Sequence, residues 1–349
     1  MLDIKVYGKT DPGRKRTNNE DAFIAQQILD DNHYLAVVID GVGGHEGGEV
    51  AAGIAQQTIV DYLQQYMNGE RLSLLKQAVT QANNSIFEAR KQREDCEEMS
   101  CVITACLFEL DDMCLNMVHI GDTRLYVYEN SILRKLSHDH SFVGYYEENG
   151  SLTEEEAMNH PHRNIINRVV GDEIHNIDDD KFIESQTFSL TKGNTYLLCS
   201  DGLYDMLTSG EIESILGKDI PVEEKVNELI DFANQKGGKD NITVVLVQLE
   251  DNEIDSIETK AIDNISGIIL PPGVQPVQMQ TNKRSFILIM AICCLLIGFA
   301  GGWLGCRAYN IHTISVNAII NSDTLTVQPK NMQENIENND TLKTENHGQ

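Results

Sequence analysis

Three acidic signatures lie far apart in this chain of 349 residues and share one chemistry. They are RTNNEDA at 16–22, IDGVGGHEGGE at 39–49, and a late pair, CSDGL at 199–203 with GGKDN at 237–241. Each sets an Asp or Glu beside Gly or Asn at what reads as the end of an apolar strand, where a tight turn exposes both a carboxylate and a backbone carbonyl. Such oxygens suit hard divalent cations. Several of these ends converging would hold two ions roughly 3.5–4 Å apart, the spacing that activates a bridging water for in-line attack on phosphorus. The chemistry implied is metal-dependent hydrolysis of a phosphate ester. Arg16 is the candidate substrate handle, because a guanidinium presents a planar fork to two phosphate oxygens. Arg14 and Lys15 stand beside it. A solvated basic turn is therefore the competing reading, and spacing from Asn19 and Glu20 favours Arg16.

Composition narrows the partners. The formal net charge is −27, and residues 1–282 hold 49 acids and 22 bases, so all of the excess lies in that part. A surface of this sign repels phosphates and no basic stripe interrupts it, which argues against nucleic acid. The same field repels a phosphoprotein unless bound cations neutralise it locally. Acidity for solubility alone is the plainer explanation. Of the eight cysteines, Cys96, Cys101, Cys106 and Cys114 crowd a strand region and Cys199 sits in an apolar run. With no CxxC spacing to mark a zinc site, buried reduced thiols are expected. The start MLDIKVYGKT lacks an apolar stretch of signal-peptide length.

The elements that must position these residues follow from periodicity. Strands are expected in YLAVVID, SCVITACLFEL, MCLNMVHIGD, TRLYVYE, NTYLLCSD and NITVVLVQLE. A helix is expected over 46–67, with Val50, Ala51, Ile54, Thr58, Ile59 and Leu63 at helical spacing. A second covers 72–93, with Leu75, Val79, Ala82, Ile86 and Phe87 on one face, and two more fall near 209–216 and 222–236. Consecutive strands separated by helix pairs are not βαβ alternation.

Taken together, RTNNED, DGVGG, IGDTR at 120–124, SDGL and KDNITVV, in this order, resemble the type 2C metal-dependent Ser/Thr protein phosphatases in their compact bacterial form. The resemblance covers roughly residues 3–250, and the catalytic domain is placed at 1–250. It implies an α+β fold, a four-layer αββα sandwich of two antiparallel sheets flanked by helices. It implies removal of phosphate from phosphoserine and phosphothreonine in proteins, reversing a Ser/Thr kinase. It also implies that Asp40 bridges two Mn²⁺ or Mg²⁺ ions, with the carbonyl of Gly41 as a further ligand, Glu20 on the second ion, and Asp201 and Asp240 completing the first. Asp122 with Asp201 would form a weaker third site. Asp21 reads as a supporting or structural acid. Oxygen ligands without His or Cys argue against zinc.

The chain departs from that pattern in two places. Val42 stands where eukaryotic relatives carry a His, which leaves His45 as a weak candidate for the proton donor, with a helix-start or supporting role preferred. Ser100 and Cys101 follow Met99 where Gly-Thr-Thr is usual, which bears on packing near the third site. Residues 138–171 lose strand alternation, and the resemblance makes them the flap, a mobile segment that helps choose substrates. Its His138, His140, His160 and His162 are too scattered to read as a metal site. Arg163 and Arg168 are candidates to contact a phosphopeptide.

Beyond residue 250 the character changes. Residues 251–284 gather Pro271, Pro272 and Pro276 and read as a flexible linker. SFILIMAICCLLIGFAGGWLGC at 285–306 carries no charge, and at about 1.5 Å per residue it spans about 33 Å, enough for a bilayer core of roughly 30 Å. Lys283 and Arg284 precede it and Arg307 follows, a bias that keeps the catalytic domain on the cytoplasmic face of the cell membrane. The tail, 307–349, would lie outside, partly disordered. Gly298 with Gly302, and Gly301 with Gly305, have a spacing that can pair two spans into a homodimer. Two readings from other classes compete with the enzyme: a catalytically silent scaffold of the same fold, and a membrane receptor whose domain acts only by contact.

Overall fold

Ten strands among the described residues form two five-stranded antiparallel sheets, and the long apolar runs exist because both faces of the central strands are covered. The structure is a computed structural model that describes residues 3–43, 47–66, 68–92, 98–177, 179 and 181–250. In chain order the strands are β1 (Asp3–Asp11), β2 (Asp21–Gln27), β3 (His33–Val42), β4 (Ser100–Glu109), β5 (Cys114–Ile120), β6 (Arg124–Glu129), β7 (Ile132–Lys135), β8 (Glu184–Ser189), β9 (Thr195–Cys199) and β10 (Ile242–Glu250). One sheet runs β1-β10-β9-β6-β7 and the other β2-β3-β4-β5-β8. Helices α1 (Gly47–Gln65) and α2 (Arg71–Arg90) cover the second sheet, while α3 (Phe142–Glu148) and α4 (Glu154–Met158) fall in the flap region. The first sheet is covered by α5 (Asp201–Tyr204), α6 (Ser209–Leu216) and α7 (Val222–Gln235). Two antiparallel sheets flanked by helices are what the motifs implied.

Side chains alternate across each strand, so one strand feeds two cores. Leu35, Val37 and Ile39 of β3 join the helix-side core with Ala51, Ile59, Leu75 and Ile86, while Ala36 and Val38 join the core between the sheets. β10 does the same from the other sheet, sending Ile242, Val244 and Leu246 toward α6 and α7 and Val245, Val247 and Leu249 to the middle.

The expected helices are present. α1 is rotated from its expected face: Ala52 and Ala55 are buried with Ala51, Ile59 and Leu63, whereas Val50, Ile54 and Thr58 are only half-buried. Small residues face inward there because the helix lies close on β3. Phe87 of α2 is likewise half-buried, and Lys91 sits over its ring at 4.1 Å. Four strands, β1, β2, β7 and β8, escaped the periodicity reading, and all four are sheet edges. An edge strand has one neighbour and keeps polar residues along its free side, which thins its apolar signal.

No helix among the described residues is long and apolar enough to cross a membrane. The expected linker, span and tail all lie outside the described residues. Between the sheets, the rings of Phe108 and Tyr196 meet edge-on with centroids 5.4 Å apart. Phe108→Ala should remove this contact, leave a cavity and cost about 3–5 kcal/mol of stability; denaturant unfolding reads it, and a cost under about 1 kcal/mol would contradict the packing described.

Candidate active site

The expected site residues that the structure describes converge where the strand ends of the two sheets meet. Asp21 opens β2 directly opposite Asp40 of β3, and Gly41 N donates to Glu20 O at 3.1 Å. Gly41 and Gly48, the latter in the first turn of α1, leave no space for side chains: a Cβ on Gly41 would stand 2.3 Å from Gly48 O, and one on Gly48 would stand 3.1 Å from the Glu20 carboxyl carbon. Glycine is needed here to let α1 cross the end of β3 beside the carboxylates. From the other sheet, Asp201 follows β9 and Asp240 precedes β10. Asp122 lies in the turn between β5 and β6, where its carbonyl accepts from Tyr204 Oη at 2.9 Å.

Asn241 fixes the loop that carries Arg16 and Glu20. Its Nδ2 donates to the carbonyls of Pro12 (3.1 Å) and Asn18 (2.9 Å), and its Oδ1 accepts from Glu20 N at 2.8 Å. All three polar contacts of this buried amide are thus spent on one loop. A second clasp joins the sheets. Asp21 Oδ2 accepts from Ser200 Oγ (2.8 Å) and Thr243 Oγ1 (2.6 Å). Because the Thr243 hydroxyl proton goes to a carboxylate, Thr10 Oγ1, 2.7 Å away, must be the donor to Thr243, and Asn19 Nδ2 in turn donates to Thr10 at 2.9 Å. The supporting role expected for Asp21 is what this network gives it.

The electrostatics are those of acids without enough cations. Burial, then the charges of Asp21, Asp201, Asp122 and Asp240, push the Asp40 carboxyl well above the ordinary carboxylate range. Asp201 is raised the same way by burial and by Asp205, Asp240, Asp122 and Asp21. Burial lifts Asp21 to about 6, and burial with Asp139 lifts Asp122 to about 7. Asp40 and Asp201 keep some surface at the mouth, yet the dense protein around them makes charge costly. Arg16 touches this group: Nη2 is 2.7 Å from Asp240 Oδ2 and Nη1 is 3.8 Å from Glu20 Oε2. The hydrogen bond to Asp240 raises its pKa further, so it stays charged. The donor set, all oxygen and mutually repelling, fits hard divalent cations.

A family model, Protein phosphatase 2C, matches residues 13–247. The chain belongs to the protein phosphatase 2C family. The serine/threonine phosphatase stp of Listeria monocytogenes is 33% identical over 244 residues, 69% of this chain and 94% of that protein. The serine/threonine protein phosphatase PstP of Mycobacterium tuberculosis is 32% identical over 271 residues, 76% of this chain and 49% of that protein. The PstP catalytic domain, solved in complex with 2 manganese ions, superimposes with a TM-score of 0.61 at 32% identity, covering 72% of this chain and 100% of that one. The activity class and metals expected from the motifs, a Mn/Mg-dependent serine/threonine protein phosphatase, are borne out.

The flap of this phosphatase is tied to the site by pairs that the sequence did not disclose. Arg163 binds Asp205 at 2.6 Å, and Asp205 lies one helical turn after Asp201. Arg168 Nη1 lies 3.1 Å from His140 Nε2. Both arginines therefore already have partners within the chain. Arg124 of the IGDTR run is buried against Asp139 (2.7 Å) and Glu147 (2.6 Å) and lies over the Tyr204 ring at 3.7 Å, anchoring the start of the flap. At its end, Cys101 and Val170 exchange backbone hydrogen bonds of 3.0 and 2.7 Å, and Ser100 Oγ donates to Val42 O at 3.2 Å. Of the unusual Ser100-Cys101 pair, Cys101 thus attaches the flap to β4 and Ser100 ties β4 to the end of β3.

The flap histidines divide. His160 and His162 pack around Phe142, with ring centroids 6.1 Å from it. His140 comes close to His119 and Glu184, with one ligand atom of each within 4.8 Å of the others. His119 Nε2 faces the carbonyls of Gly121 and His138, both at 3.0 Å, so it carries the proton, and Nδ1 accepts from Thr104 Oγ1 at 2.9 Å. Burial pushes this ring down to about 4, so it is neutral with both nitrogens occupied. The trio reads as a hydrogen-bonded root for the flap. His45 lies outside the described residues. Ser200, Asn241 and Thr243 were given no role by the sequence reading, and their one signal is nearness: small polar residues within three positions of Asp201 or Asp240 in otherwise apolar strand ends.

Raised carboxyls have a consequence for stability. Asp122 holds in the folded state, up to about pH 7, a proton that an unfolded Asp loses near pH 4, so its contribution to stability falls as pH rises through that window. In chelator, the thermal midpoint of the protein should drop more steeply from pH 5 to pH 7.5 than that of Asp122→Asn. An equal or steeper drop in the variant would show that this carboxyl is not the source.

Proposed function

We propose that this phosphatase hydrolyses phosphoserine and phosphothreonine in proteins at the cytoplasmic face of the cell membrane, opposing a Ser/Thr kinase. The observation that carries the reading is the crowd of raised, buried carboxylates facing Arg16. Asp40, the Gly41 carbonyl, Glu20, Asp201 and Asp240 would hold two Mn²⁺ or Mg²⁺ ions, and Asp122 with Asp201 a third. Bound there, the ions would supply Lewis acidity to the phosphoryl oxygens and a water acidic enough to attack at neutral pH.

The chain's own groups do the rest. Arg16 stands at the rim with its side chain 44% exposed, and its remaining N–H groups are free to take two phosphate oxygens while Asp240 fixes the plane of the guanidinium. Asn241 holds the loop on which Arg16 and Glu20 ride, so the distance between clamp and carboxylates is set by main-chain hydrogen bonds. Glu20 is 7% exposed and is pushed up by burial, a cost that ligation would repay. A silent scaffold would have no reason to keep such acids together.

Membrane attachment rests on the uncharged run at 285–306 and the basic pair before it. The GxxxG spacing within it would let two spans pack closely.

Full-length protein should hydrolyse an aryl phosphate and phosphothreonine peptides with Mn²⁺ or Mg²⁺, and full activity in excess chelator would refute the metal reading. Arg16→Ala should raise KM and lower kcat, together by roughly 10²-fold in kcat/KM or about 2.7 kcal/mol, while Mn²⁺ affinity by calorimetry changes little. Unchanged kinetics would move the clamp to Arg14. Asp240→Asn should lose turnover at saturating Mn²⁺ yet stay folded and in the membrane fraction. Activity within about threefold of the parent would strip Asp240 of its ligand role.

A further inference from the structure

Bases are scarce in this chain, 27 against 54 acids, yet three of them cluster beside the clamp. Arg14 and Lys15 precede Arg16, and Lys239 precedes Asp240. All three side chains belong to exposed residues, and among the described residues none has an acidic partner within ion-pair distance. An ordinary solvated basic turn would carry such charges on a loose loop.

These two loops are fastened to each other. Arg14 N donates to Gly238 O at 2.7 Å, and Asn241 Nδ2 bonds the carbonyls of Pro12 and Asn18. Gly238 has a φ of +47°, and Asn234, which lies under it, donates from Nδ2 to Asp11 Oδ1 at 3.0 Å. A Cβ on Gly13 would stand 2.1 Å from Asp240 O. The backbone beneath the three cations is therefore fixed relative to Arg16 and Asp240.

The stretch beside Asp201 is acidic in composition. Residues 141–163 hold five Glu and one Arg; Arg163 is neutralised by Asp205, Glu147 and Glu148 are paired with Arg124 and Lys135, and Glu154, Glu155 and Glu156 have no basic partner among the described residues. Glu147 and Glu154 line a cavity together with Asp201 and Asp205. The three cations thus stand beside Asp240, while the carboxylates near Asp201 are largely engaged by Arg124 and Arg163.

We propose that the rim formed by Arg14, Lys15 and Lys239 selects phosphoprotein segments that are anionic on one side of the phosphorylated residue, through flanking Asp or Glu or a second phosphate. The inference rests on the phosphatase reading of Arg16 and the carboxylates and deepens it by naming a substrate class. Charge pairs of this kind are weak singly, but three acting on one segment give a preference on the order of tenfold at low salt. Salt reduces it, since the Debye length is about 10 Å at 0.1 M.

The test uses the full chain with Mn²⁺ and three sets of phosphothreonine peptides, identical except for Lys, Glu or a second phosphothreonine placed first on one flank and then on the other. Acidic flanks on one side should raise kcat/KM about tenfold over Lys flanks at low salt and about twofold at 0.5 M. Arg14→Gln with Lys15→Gln and Lys239→Gln should erase that ratio, and Lys15→Glu alone should shrink it, which guards against a poorly folded triple variant. Glu and phosphothreonine acting alike would assign the rim to charge in general, whereas response to phosphothreonine alone would assign it to phosphate. Equal turnover of all flanks, or a preference that survives the triple variant, overturns the inference while leaving the phosphatase intact. Failure to hydrolyse any peptide would instead remove the phosphatase reading and the rim with it.

Discussion

Asp40 and Asp201 sit where the strand ends of two sheets meet, with Asp21, Asp122 and Asp240 close enough to push both carboxyls far above their ordinary range. Like charges at low dielectric repel strongly, so a fold that brings them together must hold them from outside. Most features around the site answer to that need. The sheets are joined through Asp21, Ser200 and Thr243, Asn241 binds the Arg16 loop to β10, and paired glycines let α1 close over Glu20. One guanidinium in the chain itself, that of Arg16, offsets part of this repulsion, and divalent ions held by these oxygens would offset more.

Rigid and adjustable parts are segregated accordingly. Strands covered on both faces supply the fixed ends, while the flap is attached at its root by Arg124 with Asp139 and by the Cys101–Val170 bridge. Between these anchors its contact with the site runs through the Arg163–Asp205 pair. The carboxylates, by contrast, are positioned by the strands and the loops fastened to them, so the two parts of the mouth are held by separate sets of contacts.

Some of this was legible in the residues and some was not. β3, β4, β5, β6, β9 and β10 announced themselves as apolar runs because burial on two faces makes most of their positions apolar. β1, β2, β7 and β8 did not, because an edge strand has one neighbour and keeps polar side chains on its free side. The inward face of α1 was misjudged for a related reason: close approach to β3 favours Ala52 and Ala55 over the larger Val50 and Ile54, and a hydrophobic count weights the larger residues.

The sequence by itself determined the chemistry. Asp and Glu beside Gly or Asn at strand ends mark candidate oxygen ligands and turns through local geometry alone, and the fold brings Asp40, Asp201, Asp240, Glu20 and Arg16 together. Only the tertiary structure decided how those residues are held and which charges remain free. Ser200, Thr243 and Asn241 act across separations of 179 to 233 residues, and nearness to an acid in sequence does not say which partner each will meet. Arg163 and Arg14 look equally available as sequence. Folding pairs the first with Asp205 and leaves the second at the mouth, because pairing depends on distance in space, which periodicity along the chain does not encode.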